Sequence, residues 1–203
     1  MGILEGVFVA VVFIYSVVVH EVSHGIVANS LGDDTAKNAG RLTLNPLKHL
    51  DMFGSVILPL LLILARSSFV FGYAKPVPHN PANLTDLKFG SAKVALAGPA
   101  SNLVLAVLFG LFLRFLPSSL ESTALPLLIS FIVRINLLLA IFNLAPIPPL
   151  DGHWLLLAFL PNRFAALKLF LMRYGLVLFF IFLIFIFPFV YPLINLIFRL
   201  IVG

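Results

Sequence analysis

Two histidines and a glutamate stand within five residues of one another: His20-Glu21-Val22-Ser23-His24. On a helix, residues four apart stack on one face. Both imidazoles can therefore reach a single tetrahedral zinc ion, with Glu21 beside it, placed to take a proton from water at the metal. This is hydrolytic chemistry. The motif also lies in an apolar stretch, where an ionisable side chain costs about 2.5–3.5 kcal/mol and is rare without a function.

Catalytic zinc usually has three protein ligands and one open position. The extended pattern with a third histidine six residues on is absent, because Val27 and Ser30 occupy the needed positions. The other glutamates, Glu5 and Glu121, fall near the ends of predicted segments. Asp33 and Asp34 follow the first helix too closely to fold back, and Asp86 lies in a polar loop. Asp51 and Asp151 each border an apolar segment. Asp151 is the better candidate, because it follows a full-length apolar run ending at Asn143-Leu144-Ala145-Pro146. His49 and His153 are further possible ligands, each more simply read as an interfacial histidine satisfied by water.

These residues must be positioned by a chain of 203 residues, 61% hydrophobic and only 10% charged. Its mean hydropathy is +1.12. A soluble domain carries about 25% charged residues, so the solvent of this chain is largely lipid. The net charge of +5 comes with no basic stripe and no aromatic interleaving, which argues against nucleic acid. There is no cysteine, so thiolate metal sites and cysteine nucleophiles are excluded. The apolar N-terminus lacks a basic leader and a cleavage site, so it is expected to be retained.

The pattern predicts an all-α polytopic membrane protein of five to six apolar segments. They are Ile3–Leu31, a short Met52–Ala65, Val94–Phe115, Leu125–Leu144 and a long Leu167–Val202, which is one helix with a short return or two helices. A re-entrant, β-like insertion is expected between the first and third, from Pro59 and the strand-like Phe69–Ala74. The chain reads as a single domain, 1–203, with a core of about 3–154 and accessory C-terminal helices at 155–203.

Three motifs in order resemble the site-2 protease family of intramembrane metalloproteases, in its compact prokaryotic branch. They are His20-Glu21-Val22-Ser23-His24, Ala97-Gly98-Pro99-Ala100-Ser101-Asn102, and Asn143-Leu144-Ala145-Pro146 leading to Leu150-Asp151-Gly152. Phe71-Gly72-Tyr73-Ala74-Lys75-Pro76-Val77-Pro78 adds to the likeness, which covers roughly 9–154. The resemblance implies one zinc ion held by His20, His24 and Asp151, with Glu21 as general base and later proton donor. It implies that Asn143 orients the substrate or its oxyanion, and that the substrate is a transmembrane segment of another protein. A helical substrate must unwind before attack. Asn102 and Asn143 are candidates to stabilise the unwound stretch, although asparagines also join helices in membranes. The polar stretches here are too short for the peptide-binding or nucleotide-binding modules that many members carry. The alternative function is a non-enzymatic zinc-binding membrane protein, a transporter or sensor, but such a protein needs no base beside its ligands.

Charge distribution suggests the orientation. If Met52–Ala74 enters the bilayer and returns, Lys37, Arg41, Lys48, Lys75, Lys88, Lys93, Arg163 and Lys168 share one side, and Arg114 lies near the other. The positive-inside rule makes the shared side cytoplasmic. The N-terminus is then outside, the active site lies towards the cytoplasm of a prokaryotic cell membrane, and Asp151 comes to the depth of His20 and His24. Arg66 must in that case lie deep, reach the far interface or find a buried partner.

Overall fold

The computed structural model describes residues 2–65 and 75–203. Among them the chain is helical, with no β-strand. The strand-like run Phe69–Ala74 and Arg66 lie outside the described residues. Helix α1 spans Ile3–Ser30. Glu5 caps its start by accepting from the Gly2 amide at 2.9 Å. Gly32 ends it in the left-handed conformation, φ +98°, so that the Asp33 amide returns to the Ala28 carbonyl at 3.0 Å.

A short α2 (Thr35–Asn38) ends in a second left-handed glycine, Gly40, with the Arg41 amide on the Ala36 carbonyl. A π-helical stretch, Met52–Ile57, leads into α3 (Leu58–Leu64). The Lys75 amide then donates to the His49 carbonyl at 2.9 Å, so the chain between these residues leaves and returns at one place. Residues 75–80 run without regular secondary structure as a strap beside α1. Asp33, fully buried, accepts from the Asn80 amide at 2.6 Å and from the Asn83 side chain at 3.0 Å. Burial alone would raise its pKa. The hydrogen bonds from Thr35, Asn80 and Asn83 prevail and lower it to about 2.

Helix α4 (Gly90–Arg114) starts four residues before the expected Val94, so its glycine–proline–asparagine motif lies two turns inside the helix. A short α5 (Ser118–Glu121) joins it to α6 (Leu125–Asn143), and α7 (Gly152–Phe159) follows a proline-rich turn. The chain closes with α8 (Ala165–Ile181) and α9 (Val190–Val202), joined by a π-turn and a 3-10 turn that contains Pro188.

Among the described residues, four helical runs are long and apolar enough to cross a membrane: Ile3–Ser30, Gly90–Arg114, Leu125–Asn143 and Asn162–Val202. Apolar side chains such as Leu108, Phe112, Val177 and Phe185 stand exposed on them, as a lipid-facing surface requires. These features make the protein an integral membrane protein of helical type. The last run does not fold back on itself. Gly175 meets Pro148, Phe179 and Phe182 meet Phe142, Arg134 meets Asn195, and Gly110 meets Ile201. The contacts march in one direction, so α8 and α9 follow one another along α6 and α4 rather than pairing as a hairpin.

The core joins α4, α6 and α9 through Ala106, Ile129, Val133, Leu137 and Ile194. Helix α4 runs antiparallel to both α1 and α6, with Val94 facing His24 and Asn102 facing both Ser16 and Asn136. Arg134 interrupts the apolar surface of α6. Its guanidinium donates to Asn195 and lies 4.0 Å from the centroid of the Phe198 ring. This residue was missed in the sequence-based charge distribution, although a cation in mid-helix is a signal in its own right.

Candidate metal centre

His20 and His24 lie one turn apart on α1, and Asp151 sits at the N-terminal edge of α7. Asp151 Oδ2 is 3.0 Å from His20 Nε2 and 3.3 Å from His24 Nε2. The three ligand atoms lie within 4.8 Å of one another.

The far side of each imidazole fixes its tautomer. His24 Nδ1 donates to the Val94 carbonyl at 2.7 Å. Pro99, inside α4, has no amide to give the neighbouring Ala95 carbonyl, which loosens the helix at this turn. His20 Nδ1 donates to Asn102 Oδ1 at 2.6 Å. The Asn102 amide group is spent elsewhere, donating to Asn136 Oδ1 at 2.9 Å and to the Ser16 carbonyl at 3.2 Å. Asn136 in turn donates to Ser16 Oγ at 3.0 Å. A buried polar chain thus crosses α1, α4 and α6 and ends on His20.

With both Nδ1 protons committed, each Nε2 of a neutral imidazole presents a lone pair, as does Asp151 Oδ2. Three acceptors converge without a donor, which is unfavourable unless a cation lies between them. Tetrahedral zinc bonds of about 2.0–2.1 Å give ligand–ligand edges of about 3.3 Å. The two nitrogen–oxygen separations and the nitrogen–nitrogen–oxygen donor set fit such an ion.

Two glycines make the approach possible. A Cβ on Gly98 would come within 2.5 Å of His20 Nε2 and closer still to His24 Nε2. A Cβ on Gly152 would collide with the Leu144 carbonyl and reach the Ala145 carbonyl at 2.5 Å. Gly152 therefore lets the start of α7 press on the end of α6, which fixes Asp151 opposite α1. The motifs read as a sequence signature are, physically, points of close approach.

Glu21, half-buried, projects beside the triad and accepts from the Val77 amide at 2.8 Å through Oε2. A cavity of about 110 Å³ opens over Glu21, His24 and Asp151, closed by Val77, His79, Ser91 and Trp154. Burial holds the His79 imidazole below its ordinary pKa. Asn143 does not line this cavity: its amide donates to the Leu139 carbonyl at 3.0 Å on its own helix. The rival ligands are engaged away from the triad. Asp51 accepts from the Gly54 amide, His49 Nε2 donates to the Thr43 carbonyl, and His153 Nδ1 donates to the Leu150 carbonyl. Both histidines are buried and bonded by protein, rather than by water at an interface as expected.

Sequence reasoning missed His79, Trp154, Ser16 and Asn136. The last two are polar groups inside apolar helices, and that alone marks them for attention. For His79 no local signal exists. The polar chain predicts that Asn102→Leu will weaken zinc binding by about 10–100-fold, the usual cost of losing the partner that orients a ligating histidine. Competition with a chromophoric chelator measures it, and native affinity in this variant would dismiss the positioning role.

Three relatives carry the name "Putative zinc metalloprotease". YwhC of Bacillus subtilis is 42% identical over 153 residues, covering 72% of this chain and 66% of its own length. Rip2 of Mycolicibacterium smegmatis is 34% identical over 151 residues, 73% of this chain and 56% of its own. MJ0611 of Methanocaldococcus jannaschii is 50% identical over 64 residues, 31% of each chain. The chain thus spans somewhat more than half the length of the first two. No family model and no solved structure matches it.

Proposed function

Because the chain belongs to the site-2-protease-like family of zinc metalloproteases, we propose that it hydrolyses peptide bonds in or near transmembrane segments of other membrane proteins. The observation that carries this reading is the convergence of three acceptor atoms, one each from His20, His24 and Asp151, with Glu21 in the same cavity. These three residues would hold one zinc ion. When bound, zinc lowers the pKa of water towards about 7 and polarises a carbonyl.

The chain's own residues supply the rest. Glu21 Oε2 is held by the Val77 amide, so Oε1 is the oxygen that takes the proton from water and later delivers it to the leaving amine nitrogen. Asn102 acts by fixing His20, with no polar group left for the substrate. Asn143, which bonds the Leu139 carbonyl and does not line the cavity, would have to turn its free amide oxygen or second N–H towards the site to orient the substrate. The strap and Trp154 line the cavity beside Glu21.

The test is reconstitution with single-span membrane proteins and mapping of the cut sites by mass spectrometry. Cleavage within the apolar span, stopped by a chelator and restored by zinc, is expected. Asp151→Ala should lose zinc, whereas Asp51→Ala should keep it. Zinc binding without any cleavage would favour the transporter or sensor reading instead.

The orientation is proposed as well, with the N-terminus outside, the site towards the cytoplasm and residues 52–74 re-entrant. The bond from the Lys75 amide to the His49 carbonyl supports it, since the intervening chain ends where it began. Single cysteines at Asn38 and Asn80 should label from one side and a cysteine at Ser119 from the other. Labelling of 38 and 80 from opposite sides would sink the re-entrant arrangement.

A further inference from the structure

We propose that Arg41 is a positioning residue for Glu21, acting through the backbone of the strap at Lys75–Val77. The inference rests on the protease reading above and concerns what holds the base in place.

Among the described residues Glu21 is held by one donor, the Val77 amide, at 2.8 Å. That amide has no neighbour able to replace it, because Pro76 and Pro78 carry no N–H. Val77 also precedes a proline, which biases its backbone away from the helical region. Its side chain, 5% exposed, is seated where α1 lacks a side chain: a Cβ on Gly25 would stand 3.0 Å from Val77 Cγ1. Gly25 lies one turn beyond Glu21, so the strap cannot slide along α1 without lifting Val77 out of this seat.

Arg41 grips the other side of the strap. Its Nη2 donates to the Lys75 carbonyl at 2.7 Å and, at a longer 3.4 Å, to the Pro76 carbonyl. The Pro76 carbonyl and the Val77 amide are two ends of one planar peptide group. A cation at its oxygen and a carboxylate at its N–H therefore hold the same plane from opposite sides. They also polarise it in the same sense, which strengthens both hydrogen bonds. The left-handed turn at Gly40, φ +62°, and the Arg41 amide on the Ala36 carbonyl aim the side chain there.

Arg41 is 8% exposed, yet among the described residues it forms no ion pair. A buried arginine spent on two backbone carbonyls is costly as a mere packing element. It is explained if the peptide group it holds must stay fixed for Glu21. The strap has a second anchor, the Asn80 amide on Asp33, so loss of Arg41 should loosen the peptide group at Val77 without releasing the segment.

The test uses the full chain in proteoliposomes with a transmembrane substrate that the native protein cleaves. Arg41→Met is expected to lower kcat at least tenfold, with KM within twofold and zinc content unchanged. Amide hydrogen exchange across 75–80 should speed up by a similar factor. Arg41→Lys, which can still donate to one carbonyl, should fall between the two and covers the case in which Arg41→Met folds poorly. Faster exchange with native kcat would overturn the proposal, as would native exchange. If the native protein cleaves nothing, the protease reading falls first, while the exchange data still report whether Arg41 holds the strap.

Discussion

Glu21→Gln is expected to lower the turnover of a transmembrane substrate by about 10²–10⁴-fold, the range lost with a general acid–base group, while zinc stays bound. The geometry makes this variant a clean test. Glutamine keeps the length of the side chain, and its carbonyl oxygen can still accept from the Val77 amide. His20 and His24 keep their own partners, Asn102 and Val94, neither of which involves Glu21. Only the capacity to carry a proton is lost. Turnover and zinc content should be measured on the same preparation. Near-native turnover would remove Glu21 from the mechanism. A parallel loss of zinc would make it a structural group of the centre instead.

Gly98→Ala should reduce zinc affinity by about 100-fold or more, at or beyond the upper end of what altered partners of a ligand cost, although it touches no ligand by sequence. Two effects compete. Alanine in place of glycine inside α4 favours the helix by about 1 kcal/mol. The new methyl group, however, would lie within van der Waals overlap of both Nε2 atoms. Those nitrogens cannot retreat, because each imidazole is tied behind by its Nδ1 bond. Packing therefore prevails over propensity at the centre, even if the helix itself is stabilised. Chelator competition gives the affinity and thermal unfolding gives the stability. Native zinc affinity would mean that α4 can shift away from α1, and that the close approach at Gly98 is unnecessary.

The site was legible in proportion to how local it is. His20, Glu21 and His24 need only the helical repeat, and an apolar background makes their charge conspicuous. Asp151 was reachable because few carboxylates compete for the role, and it lies where elimination put it, beside both histidines. What the sequence could not convey is which face of each helix turns inward. Asn102 was open between a substrate contact and a helix-joining one. Its side chain is consumed by His20, Asn136 and Ser16, an outcome decided by how three helices pack. The strap was visible as a proline-bearing loop and as part of the 71–78 likeness, but not as a partner of Glu21. Val77 meets Glu21 across 56 residues, and no periodicity encodes a contact of that kind. The last apolar region was ambiguous for a related reason. Pro188 and Pro192 break helices whether or not the chain turns back, and only the partners of Asn195 and Ile201 distinguish the cases.

The pairing of Arg134 with Asn195 and Phe198 bears on how the chain is made. Arg134 emerges from the ribosome 61 residues before Asn195. During that interval α6 must enter the bilayer carrying a guanidinium whose eventual partners do not yet exist, at a cost of about 2.5–3.5 kcal/mol. The mean hydropathy of α6, 2.3, is high enough to bear that cost for a time. The helix that lowers it, α9, is synthesised after α6. Helix α9 thus supplies, from later in the sequence, the amide and aromatic partners that α6 lacks while it is inserted alone.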